Sequence, residues 1–117
     1  MNTRKHVFTA LAAALALGLA VPVIAAETVT DAQIAAAKTP ADHEAIAKAY
    51  DAEAATAEAT ANEHETMART YKVGGSPKGT YAEMVRHCAR LAKSYREAAT
   101  EYRALAAEHR KLAAAAK

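Results

Sequence analysis

The chain has 117 residues, a formal net charge of +2 and one cysteine. Two of its 15 basic residues, Arg4 and Lys5, fall in the first 26 positions, which hold no acid, so residues 27–117 carry 13 bases against 13 acids. That neutrality removes the electrostatic basis for a nucleic acid or an anionic membrane surface as partner. The same stretch has no Phe or Trp, leaving five tyrosines as its aromatics, and is long enough for one small domain.

From the N-terminus, Arg4 and Lys5 precede an apolar run from Val7 to Leu19, and Pro22 leads into Val23-Ile24-Ala25-Ala26. This is the pattern of a Sec-type signal peptide over 1–26, cleaved after Ala25 or Ala26. It predicts a periplasmic or secreted protein with no stable membrane anchor after cleavage. The alternative is retention as a span, since Val7 to Ala26 is apolar and just long enough. No cysteine stands at the cleavage point, so the lipoprotein route is closed.

Residues 27–39 read as a lead-in segment in which Thr30-Asp31-Ala32-Gln33 forms a capping box for a short helix to about Lys38. Thr39-Pro40-Ala41-Asp42 then supplies an N-cap, a proline at the first helical position and an acid in the first turn. A long helix is predicted over 40–72. Its seam is His43, Ala47, Tyr50, Ala54, Ala57, Ala61, His64, Ala68 and Tyr71, stepping alternately by four and three. Val73-Gly74-Gly75-Ser76-Pro77-Lys78-Gly79 ends it as a turn over 73–79, without the Gly-Lys-Ser/Thr order of a phosphate loop.

Thr80-Tyr81-Ala82-Glu83 is read as a capping box opening a second long helix over 80–113. Tyr81, Met84, Cys88, Leu91, Tyr95, Ala98, Tyr102, Leu105, His109 and Leu112 make its seam, by the same spacing rule. The fold class is therefore all-α: residues 40–117 form an antiparallel hairpin of two long helices, coiled-coil-like, with acids predominating on the first and bases on the second. With the turn centred near Ser76, Tyr71 should face Tyr81, Ala68 Met84, His64 Cys88, Ala57 Tyr95, Tyr50 Tyr102 and His43 His109. Val85, Ala92, Ala99, Ala106 and Ala113 form a further apolar stripe with no partner inside one hairpin. It predicts a homodimer, a four-helix bundle, because a lone alanine-rich hairpin buries little area.

The same register gathers His64, Met67, Met84, His87 and Cys88 near the turn. Imidazole, thioether and thiolate together suit a soft metal such as copper, as Cu(I). Two other readings stay open: the group is core packing, or Cys88 pairs with another chain, since one cysteine in an oxidising compartment has no partner of its own. A second cluster, His43 and His109 with Glu44 and Glu108 beside them, could take Zn²⁺ or Cu²⁺, form the wet end of the seam, or respond to pH. No H-E-x-x-H or C-x-x-C motif is present. Catalysis by Cys88 would want a base, an orienting group and a pocket, and two alanine-rich helices enclose none, so an enzyme is not expected.

The signal peptide, Thr39-Pro40-Ala41-Asp42-His43-Glu44, Glu63-His64-Glu65-Thr66-Met67, the Gly-rich turn and Met84-Val85-Arg86-His87-Cys88 together resemble small, uncharacterised exported bacterial proteins with an alanine-rich helical hairpin. That family supplies no activity to carry over. In architecture the chain is also similar to periplasmic hairpin proteins that sense metals or act as stress chaperones. It lacks their L-T-x-x-Q motifs, so their binding residues do not transfer. The functional expectation is an exported binding or structural protein, soft-metal binding on one reading and, on the other, a metal-free coiled-coil interaction module or envelope-stress chaperone-like protein engaging a protein partner.

Overall fold

The structure, a computed structural model, describes residues 28–74 and 80–116. The signal peptide and most of the inter-helix turn, both assigned from sequence, lie outside the described residues. Three helices follow in order: α1, Asp31–Ala36; α2, Pro40–Val73; and α3, Thr80–Ala115. α2 and α3 pack along each other as a hairpin, and α1 lies against α2.

Both predicted caps at the start of the hairpin are formed. The Thr30 hydroxyl accepts the Gln33 N–H at 3.2 Å while the Gln33 side chain accepts the Thr30 N–H at 2.8 Å. α1 stops at Ala36, short of the predicted Lys38, because the next helix claims that backbone. Asp42 Oδ2 accepts the N–H groups of Lys38 at 3.0 Å and Thr39 at 2.9 Å, and Thr39 Oγ1 accepts the Asp42 N–H at 3.1 Å. Those N–H groups hold the Asp42 carboxyl below its usual range. Thr39 is also kept extended, at φ −108° and ψ 158°, as the residue before a proline must be. At the other end of α2 the Gly74 N–H donates to the Thr70 carbonyl at 2.9 Å. α3 begins at Thr80, and the capping box read there from sequence turns on a side chain and a preceding turn that lie outside the described residues.

The α2 seam is as predicted: Ala47, Ala54, Ala57 and Ala61 are buried, and His43, Tyr50, His64, Ala68 and Tyr71 are half-buried. The helix register also holds. Ring centroids of Tyr71 and Tyr81 lie 5.8 Å apart, those of Tyr50 and Tyr102 6.2 Å, and those of His43 and His109 5.4 Å.

The α3 seam is not as predicted. The buried residues of this helix are Cys88, Ala92, Ala99 and Ala106, with Val85 and Ala113 half-buried at the ends of the same row. The stripe expected to face a second molecule is thus the one that packs inside the hairpin. Met84, Leu91, Leu105 and Leu112, expected in the seam, are 41 to 48% exposed. Two physical terms favour this rotation. Alanine against alanine lets the helices approach closely, so that Ala54, Ala57 and Ala99 form one cluster with Tyr102 packed on it. The same rotation carries Arg96, Arg103 and Arg110, each seven residues apart, to the acids Asp51, Glu58 and Glu65, also seven apart. Arg96 meets Glu65 at 2.6 Å and Glu58 at 3.7 Å, Arg103 meets Glu58 at 3.3 Å, and Arg110 pairs with Asp51. Bringing the leucines inward would turn this ladder away from its partners.

Candidate functional site

Cys88 sits at the turn end of the seam and is buried, 7% exposed, as a free thiol. His64, half-buried on the facing helix, lies flat against Tyr95, with ring centroids 5.7 Å apart and 9° between planes. Its Nδ1 is buried without a hydrogen-bond partner. Met67 and Met84 are placed by the register on one outer flank and stay substantially exposed. His87 is exposed, its Nδ1 2.9 Å from the Arg90 guanidinium, which donates to it. The five predicted residues therefore share one end of the hairpin but divide between core and surface. Among the described residues, no three or more His, Cys, Asp or Glu side chains gather as a metal-binding group.

At the open end the two histidines meet as predicted. His43 Nδ1 and His109 Nδ1 are 3.2 Å apart, a distance at which one imidazole donates to the other. The Tyr50 ring closes over His109 at 5.8 Å between centroids. Burial, with His43 adding to it, pushes the His109 pKa down. The carboxylates predicted beside the pair turn to bases instead: Glu44 approaches Arg110 at 3.9 Å and Glu108 holds Lys111 at 2.6 Å.

A third feature was not anticipated. Opposite the Arg/acid ladder, the hairpin presents Met67 from α2 and Met84, Leu91, Leu105 and Leu112 from α3, with Tyr81 and Tyr95 at its edge, each 37 to 48% exposed. The N-terminal segment covers part of this flank. The Val29 N–H donates to Glu53 Oε1 at 2.9 Å, and Thr28 lies in the groove formed by Glu53, Thr56, Ala57, Tyr95, Ala98 and Tyr102. The Glu53 carboxylate in turn pushes the Tyr102 phenol up. Ile46, absent from the predicted seam, is 5% exposed because it shares a groove with Val29, Ala36 and Ala37. The sequence signal for the flank was the strict spacing of seven in Met84, Leu91, Ala98, Leu105 and Leu112, which fits a coiled-coil row as well as the alanine row does. Comparisons with protein-family models, curated proteins and solved structures found no match to this chain.

Proposed function

We propose that the protein is an exported helical hairpin that works by association rather than catalysis, pairing with a second copy of itself through the Met/Leu flank to make a four-helix bundle. The observation that carries this reading is the apolar row of α3, exposed at Met84 and Leu91 and again at Leu105 and Leu112 on either side of the part that the N-terminal segment covers, while the core inside the hairpin is nearly all alanine. No large side chain is fully buried among the described residues, so one hairpin gains little from its own seam. The seven flank residues leave on the order of 500 Å² of mostly apolar surface per copy, and two copies together reach about the 1,000 Å² that a specific interface needs. The chemistry suits a like partner, because the row is uninterrupted by charge and the Arg/acid ladder is already satisfied on the opposite side. The export half of the proposal rests on the signal-peptide pattern in residues 1–26.

Sedimentation equilibrium tests it. The chain should be dimeric at micromolar concentration, and Leu91→Glu with Leu105→Glu should give a monomer that keeps most of its helix. A monomer at every concentration for the unaltered chain sinks the proposal.

A soft-metal role at the turn end is the second reading, favoured by the partnerless Nδ1 of His64 in a seam whose register sets it across from Cys88. There Met67 and Met84 would supply the thioethers from the flank, and copper as Cu(I) is the metal this donor set prefers.

A further inference from the structure

We infer that His43 and His109 form a two-nitrogen site for a divalent transition-metal cation, Zn²⁺ by preference, that clips the open end of the hairpin. The inference is independent of the flank and of the turn-end cluster. Two Zn–N bonds of about 2.0–2.1 Å meeting at a tetrahedral angle separate their nitrogens by about 3.3 Å. The two Nδ1 atoms are 3.2 Å apart. A square-planar ion would draw adjacent nitrogens to about 2.9 Å, so the spacing fits zinc better than Cu²⁺.

The pair is built to hold this spacing. The rings come from different helices, 66 residues apart in sequence, and are fixed by the register that stacks Tyr50 on Tyr102 and sets Tyr50 against His109. In the metal-free pair one ring shares its Nδ1–H with the other. On binding, that proton leaves Nδ1 and the ring takes one up at Nε2, so two neutral imidazoles load the ion with no net proton released. Of the charges beside the pair, Arg110 is held by Asp51 and Glu44 and Lys111 by Glu108. Glu44 and Glu108 are engaged with those two bases, so water completes the coordination sphere.

The test is thermal unfolding of the chain with Zn²⁺ added, alongside imidazole ¹⁵N spectra of the unaltered protein. A cation that binds only the folded state raises the unfolding midpoint, on the order of 10 °C when zinc is a hundredfold above its dissociation constant. His43→Gln and His109→Gln should each abolish the rise, and His87→Ala should keep it. The spectra should show Zn²⁺ moving the signals of two rings, His43 and His109, which decides the matter even where a Gln variant folds poorly. No rise at millimolar Zn²⁺, a rise that survives His109→Gln, or perturbation of His64 or His87 instead would each overturn the site.

Discussion

Replacing Ala99 by leucine separates the two possible rotations of α3. Ala99 is 0% exposed and touches Ala54 and Ala57, which are 1% and 7% exposed, with Tyr102 packed on the cluster. There is no room for a larger side chain without moving the helices apart, and overpacking of this kind costs about 1–3 kcal/mol. For a domain of this size each kcal/mol lowers the unfolding midpoint by about 4–8 °C, so a drop on the order of 10 °C is expected. Ala107→Leu is the control, because Ala107 faces solvent on the same helix and the same change there should stay within about 0.5 kcal/mol. Far-UV circular dichroism melts at one fixed protein concentration read both, since self-association would otherwise shift the midpoints. Had Ala99 faced a second molecule, as the sequence pattern indicated, Ala99→Leu would act on the dimer contact and leave the dilute, monomeric hairpin as stable as Ala107→Leu does. Equal midpoints for Ala99→Leu and Ala107→Leu would refute the alanine seam.

Arg96→Ala removes the contacts to Glu65 at 2.6 Å, Glu58 at 3.7 Å and Asn62 at 3.2 Å. These side chains are 38 to 43% exposed where they form ion pairs, so the loss should be a small drop in the urea midpoint, smaller still in high salt. Hydrogen bonding by Arg96 holds the Glu65 carboxyl below its ordinary 4.5, so the unfolded chain takes up that proton first as pH falls. The stabilisation is therefore full above 4.5 and lost as pH drops through the lower folded-state value. Unaltered protein and Arg96→Ala should converge in stability on acidification, and a gap that persists at low pH would contradict the pairing. For the soft-metal reading, anaerobic titration of the reduced chain with Cu(I) against a chelator should show binding abolished by Cys88→Ser or His64→Ala and spared by His43→Ala or His109→Ala. Equal losses from all four would rule out a site at the turn.

Much of the fold was legible in short-range chemistry. Thr30 with Gln33, and Thr39 with Pro40 and Asp42, are complete instructions within four residues, and the structure forms both caps. The glycine- and proline-bearing break between two uninterrupted periodic stretches dictated a hairpin, and the symmetry of that break set a register that the Tyr71–Tyr81, Tyr50–Tyr102 and His43–His109 pairs confirm. The facing of two histidines followed from that register alone. The nitrogen-to-nitrogen contact at 3.2 Å exists only once the two helices pack.

What the chain by itself left open was the rotation of α3 about its axis. Tyr81, Cys88, Tyr95, Tyr102 and His109 belong to either seam, and the second row can be the leucines or the alanines, because both repeat every seven residues. Local periodicity carries no information about which row is closer to a neighbour. Close approach of alanine to alanine and the alignment of Arg96, Arg103 and Arg110 with Glu58, Glu65 and Asp51 decide it, and both exist only once two helices lie side by side. The same tertiary step buried Ile46 under the N-terminal segment and put Met67, Met84 and the leucines on the outside. Sequence thus determined the hairpin and its register, and packing between helices determined which face of it meets the rest of the world.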